Sequence, residues 1–121
     1  VVINDEIKAL AQGRNFGTIS TLLPSGQIQT HVVWVDCDDD HILINTEVEL
    51  RKFKNVQADP RVTVTIWNAR NPYFFAEVRG TVVETIGGSI AREHIDRVAQ
   101  RYVGTDYPSE VRSERVILKI A

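Results

Sequence analysis

From Arg61 to Trp67 the chain alternates without a break, with Val62, Val64 and Ile66 on one side and Thr63, Thr65 and Trp67 on the other. A period of two built from β-branched residues reads as a half-buried β-strand. The same signal recurs along the chain. Phe16–Leu23 is rich in β-formers and stops at Pro24-Ser25-Gly26, a sound turn tripeptide. Ile28–Cys37 follows, with Ile28, Thr30, Val32 and Trp34 on one face, then a solvated turn at Asp38-Asp39-Asp40 and a third strand at His41–Asn45. Hairpin spacing of this kind predicts an antiparallel meander. Phe74–Ile86 reads as a long strand bent at Gly80, and Val111–Ile120 as the last one.

Three helices interrupt this pattern. Asn4 can cap a helix over Asp5–Gln12, with Ile7, Leu10 and Ala11 on one face and Gly13 at its end. Thr46-Glu47-Val48-Glu49 has capping-box spacing, which predicts a helix starting at Thr46 and running to about Gln57, closed by Asp59-Pro60. After Gly87-Gly88, Ser89 is a candidate cap for a helix whose Ala91, Ile95, Val98, Ala99 and Tyr102 form an apolar stripe. Six mostly antiparallel strands and three short helices predict a mainly β, α+β fold, a barrel or sheet, in one domain over residues 1–121.

Composition removes several function classes. A formal net charge of −2 offers no general attraction to nucleic acid or anionic membranes. No apolar run approaches the roughly 20 residues of a membrane span. The single Cys37 cannot form an internal disulfide, which fits a reducing compartment, and the neighbouring carboxylates disfavour its thiolate. His31, His41 and His94 match no metal spacing, so no metal is expected, and no glycine-rich phosphate loop is present.

Chemistry concentrates between Asn45 and Asn55. Free N–H groups at a helix start, with Arg51 and Lys52 beside them, can hold a phosphate or carboxylate. Equally, Arg51, Lys52 and Lys54 can form the wet face of an amphipathic helix, and Glu47 and Glu49 put negative charge where an anion would sit. Gln29–Trp34 could hold a planar heterocycle against an apolar wall, or could simply be core. Trp67 and Tyr73-Phe74-Phe75 read as core or as an interface, which raises the expectation of an oligomer.

Taken in order, these segments resemble the pyridoxamine 5′-phosphate oxidase-like split β-barrel superfamily, most closely its short-chain branch that uses the deazaflavin F-420. The blocks that carry the resemblance are Phe16–Leu22, Pro24-Ser25-Gly26, Gln29–Trp34, Leu43–Lys52, Asn55–Val62, Tyr73, Glu77-Val78-Arg79-Gly80, Arg92–Asp96 with Arg101-Tyr102, and Glu114-Arg115-Val116. The resemblance implies a six-stranded FMN-binding split barrel and a cytoplasmic homodimer with cofactor sites at its interface. The cofactor ring would lie along Gln29, Thr30, His31, Val32, Val33 and Trp34. Its phosphate would meet Thr46, Arg51 and Lys52, with Asn45 and Asn55 nearby, and the partner subunit would contribute Trp67, Tyr73 and Phe75. The implied activity is hydride transfer between reduced F-420 and a small electron-poor substrate, with an FMN-dependent oxidase or reductase and a non-catalytic F-420 carrier as alternatives. No proton donor is compelling: His31 is the candidate, and solvent is the other source. The chain departs from the branch at His31-Val32, where Thr or Ser followed by Pro is frequent, and at Leu50, where flavin-binding relatives often carry a small polar residue. Ending at Ala121, it lacks the extension that carries substrate arginines in the oxidases themselves, which argues against vitamin B6 oxidation.

Overall fold

The computed structural model describes residues 2–121. In chain order the elements are α1 (Asp5–Gln12), β1 (Phe16–Leu22), β2 (Ile28–Val33), β3 (Asp36–Cys37), β4 (Ile42–Glu47), α2 (Arg51–Ala58), β5 (Arg61–Trp67), β6 (Phe75–Ile86), α3 (Gly88–Val103) and β7 (Arg115–Ile120). The strands form one antiparallel sheet in the order β2-β1-β5-β6-β7-β4-β3. It has seven strands rather than the six expected, because the chain leaves strand geometry at Trp34-Val35 and splits Ile28–Cys37 into β2 and β3. Among the described residues no ladder joins β2 to β3, so barrel closure is not part of the observed pairing.

Alternation does what the sequence pattern demands. In β1, β4 and β5 every second residue is buried, and Ile19, Ile42, Ile44, Val64 and Ile66 meet Leu118 and Ile120 in one core. β7 is buried on both faces, the mark of a strand with packing on each side. α3 covers β7 and part of β4, burying the predicted stripe of Ala91, Ile95, Val98, Ala99 and Tyr102. No helix among the described residues is long and apolar enough to cross a membrane.

Gly17 is required by a close approach: a Cβ there would lie 2.5 Å from Val35 Cγ2 and 3.0 Å from the Thr65 carbonyl oxygen. Gly104, at φ 78°, ends α3 in the left-handed conformation that favours glycine.

Several boundaries differ from expectation, each for a physical reason. α2 begins at Arg51 after Leu50, which provides no side-chain cap. The Thr46–Glu49 capping box does not form because β4 runs on through its first half, pairing Thr46 with Val116 and Glu47 with Arg115. Ladder bonds to a central strand outcompete a local cap of about 1 kcal/mol. α3 starts after Gly87 rather than at Ser89, and the Gly88 N–H is satisfied by the Glu114 carboxylate at 2.8 Å. The irregularity of β6 lies between Val82 and Glu84, while Gly80 pairs in register with Val62. β7 begins at Arg115 instead of Val111.

Candidate functional site

β3 covers only Ile42 and Leu43 of its neighbour. Beyond them, Ile44–Glu47 of β4 has β7 on one side and no strand on the other. A cavity of about 420 Å³ lies along this uncovered edge. Its apolar wall comes from Val32, Val33 and Trp34 at the end of β2, and α3 with the following loop closes the opposite side through Val98 and Tyr107. Trp34 is held rigidly. Its ring stacks on Tyr102 at 5.0 Å and 7°, and Tyr107 meets it edge-on at 6.0 Å and 88°. The Tyr102 hydroxyl donates to the Asn15 carbonyl at 2.6 Å and accepts from the Val35 N–H at 3.2 Å, so the stacking partner cannot swing away.

Register places the polar groups. Asp36 lies opposite Leu43, and Glu47 lies opposite Arg115, so Asp36, Asn45, Glu47 and Arg115 share the face that α3 covers. Arg115 Nε donates to Asn45 Oδ1 at 2.8 Å, which aims the amide nitrogen at the Ala91 carbonyl (2.8 Å) and at His94 Nδ1 (3.0 Å). His94 is 2% exposed, and with Nδ1 accepting, its Nε2–H donates to Asp36 Oδ2 at 3.0 Å. Arg101 holds the other oxygen of Asp36 at 3.3 Å. This chain of contacts fixes Arg115 in the cavity wall, where its guanidinium also lies 4.9 Å from the centre of the Tyr107 ring.

The other face of β4 carries Thr46. It is 1% exposed, it lines the cavity, and its Oγ1 has no hydrogen-bond partner among the described residues. Lys52, at the second position of α2, lines the cavity beside it. Glu49 pairs with Lys54, and the free oxygen of Glu47 goes to Arg115 at 3.5 Å, which leaves Lys52 without an ion pair among the described residues. Burial, followed by repulsion from Arg115, pulls the Lys52 ammonium below its ordinary range, with Glu47 opposing both. Burial likewise lowers Arg115, which still stays charged because a guanidinium starts so high. Burial works against ionising Glu47, yet the N–H groups of Ser113 and Arg112, the Ser113 hydroxyl and Arg115 outweigh it and hold the carboxyl below its ordinary value. The negative charge that the sequence places at Glu47 is therefore present, and it is fixed in position. Its charge is tied to the loop before β7 and to Arg115.

The residues anticipated for the site divide into two groups. Val32, Val33, Trp34, Asn45, Thr46 and Lys52 line the cavity; Gln29, Thr30, His31, Arg51 and Asn55 do not. Asn55 is 1% exposed and donates to Thr21 Oγ1 (3.0 Å) and Gln29 Oε1 (3.2 Å), while its own oxygen accepts from Arg51 Nε (3.0 Å). These side chains close on one another. His31 is exposed on edge strand β2. Trp67 sits 6.3 Å from Phe16, itself a lining residue, and Tyr73 and Phe75 are exposed. Cys37 is buried, and burial followed by Asp36 raises its thiol. Among the described residues no group of three or more His, Cys, Asp or Glu side chains is placed to hold a metal.

Asp36, His94, Arg115 and Tyr107 were missed as site residues. A signal existed for His94. It stands three residues after Ala91 and four before Val98, on the buried stripe, where a polar side chain needs partners.

A family model described as pyridoxamine 5′-phosphate oxidase matches residues 3–121. Among solved structures, an F-420 reductase superposes with a TM-score of 0.82 at 24% identity, covering 93% of this chain and 90% of that one. A conserved hypothetical protein, Rv2991, from Mycobacterium tuberculosis gives 0.76 at 24% identity over 100% of this chain and 81% of that one. The General Stress Protein 26 from Bacillus anthracis gives 0.70 at 17% identity over 100% and 89%. At these identities the likeness is one of fold. No curated protein matches the chain.

Proposed function

The chain belongs to the pyridoxamine 5′-phosphate oxidase family, and on that footing we propose that it is an oxidoreductase whose cavity holds a flavin-like cofactor, F-420 in preference to FMN. The observation that carries this reading is the buried, unpartnered Thr46 hydroxyl, which lines the same cavity as half-buried Lys52 and buried Arg115, with Val32, Val33 and Trp34 as its apolar wall. A buried hydroxyl without a partner costs about 1–3 kcal/mol, and a ligand oxygen there removes that cost. The slot fits a planar ring and the cations fit its phosphate, so the residues present suit such a group. The F-420 reductase among the structural relatives makes the deazaflavin the first ligand to test.

When bound, such a cofactor supplies the hydride chemistry that no side chain here offers. The protein's part is binding and orientation. Val32, Val33 and Trp34 would form the apolar wall against its ring, with Trp34 immobilised by Tyr102 and Tyr107. Thr46, Lys52 and Arg115 would hold its phosphate, and Asp36, His94 and Asn45 keep Arg115 in place. His31 is off the cavity, so the proton that accompanies reduction of an electron-poor alkene comes from solvent in this reading.

The same reading makes the protein a homodimer. Phe16, Phe74, Phe75 and Tyr73 are 47–89% exposed beside Trp67, an apolar surface that a second copy would cover. Titration of the purified protein with F-420 and with FMN, followed by absorbance and fluorescence, tests the cofactor assignment. Micromolar or tighter binding to one of them is expected, and binding to neither refutes it. Sedimentation at micromolar concentration should give a dimer, and a monomer there removes the interface.

A further inference from the structure

The polar end of the cavity, at Thr46, Lys52 and Arg115, has a countable charge. Lys52 and Arg115 each bring one positive charge, and Glu47, 3.5 Å from Arg115, brings one negative. Other charged groups nearby are paired off, Asp36 with Arg101, Arg92 with Asp96, Lys54 with Glu49 and Arg112 with Glu110, while Glu114 is exposed, accepts from the Gly88 N–H and is screened by solvent. Arg51 is exposed, does not line the cavity and donates to Asn55, so solvent screens it. One positive charge is left over.

Glu47 cannot move away to change that balance. Its Oε1 accepts from the Arg112 N–H (2.9 Å), the Ser113 N–H (2.7 Å) and the Ser113 hydroxyl (3.2 Å), and its side chain is only 12% exposed. With Arg115 6% and Glu47 12% exposed, a unit of mismatched charge there is felt more strongly than in water.

We propose that Glu47 sets the charge of the anion this cavity accepts: a singly charged phosphodiester matches the one surplus positive charge, and the dianion of a phosphate monoester does not. This rests on the reading of the cavity as a cofactor site and deepens it, since it separates ligands of identical ring by their phosphate alone. Glu47 lies outside the cavity lining, so it is a positioning residue that acts through Arg115 and Lys52.

The test uses a matched pair, a 5-deazaflavin ribityl 5′-phosphate and its O-methyl diester, titrated by fluorescence against the wild type and Glu47→Gln. The amide keeps an oxygen for the Arg112 and Ser113 N–H groups while removing the charge. At pH 8 the wild type should prefer the diester roughly tenfold, and Glu47→Gln should shift the ratio toward the monoester by roughly tenfold. Equal affinity or monoester preference in the wild type overturns the proposal whatever the variant does. So does a variant that weakens both ligands by one factor, as loosened packing would. If neither ring ligand binds, the cofactor reading fails, and inorganic phosphate and dimethyl phosphate, read by phosphorus NMR line broadening, still decide the charge rule. Stronger broadening of dimethyl phosphate sustains it; equal or stronger broadening of phosphate at pH 8 overturns it.

Discussion

The molecule holds two polar clusters, each with buried members, that differ in what they leave undone. Under α2, Arg51, Asn55, Thr21 and Gln29 form a closed set in which the Asn55 amide uses its oxygen and donates twice from its nitrogen. At the open edge of β4, Asp36, His94, Asn45, Arg115 and Glu47 also satisfy one another, but Thr46 and Lys52 beside them stay unpaired. A closed polar cluster is structure; one with a buried donor or acceptor left over beside a cavity is prepared for something else. The comparison makes opposite predictions for substitutions in the two places.

The largest separation is expected at Lys52. Lys52→Ala should weaken cofactor binding on the order of 100-fold, since a desolvated charge contact is lost. Its melting temperature should not fall, because the residue removed is a half-buried cation with no ion pair. Fluorescence titration and a thermal scan of the same preparation check both halves.

Asn55→Ala should do the reverse. Urea unfolding should show a loss of about 2–3 kcal/mol, as Thr21 and Gln29 lose their shared donor, with affinity unchanged in the folded protein. A large loss of affinity would mean that the closed cluster is part of the site after all. Thr46→Val is a finer probe. It replaces an unpartnered hydroxyl with a methyl group, so stability should hold or rise by up to about 1 kcal/mol while affinity falls about tenfold.

The smallest effect is in acid. Glu47 is held below its ordinary value of 4.5 in the folded state, so it contributes stability above that value and loses it as pH falls through the lower, folded one. Urea midpoints between pH 5 and pH 3, about the range where a depressed carboxyl is titrated, should fall less steeply in Glu47→Gln than in the wild type. Parallel slopes would show that the loop before β7 does not depend on this carboxylate.

The sheet was legible because alternation is a property of each strand alone, as Arg61–Trp67 shows. The seventh strand was not. The break at Trp34-Val35 comes from packing of Trp34 on Tyr102, 68 residues further on. Thr46 is the sharper lesson. A capping box and a strand end compete for the same residues, and the partner that decides, Val116, lies 70 residues away. Local spacing pointed to Arg51 and Lys52 at a helix start, and only the resemblance named Thr46; Arg115 carried no signal, since only the pairing of β4 with β7 brings it to the cavity. Arg51 and Lys52 are adjacent in sequence, yet on a helix they point about 100° apart, which sends one to Asn55 and the other to the cavity.

A structure of the protein soaked with F-420 or FMN tests the central claim most directly. A phosphate oxygen should lie about 3 Å from Thr46 Oγ1, with Lys52 and Arg115 on the same phosphate. A phosphate seated instead on Arg51 and Asn55, with the Thr46 hydroxyl still unpartnered, would contradict it.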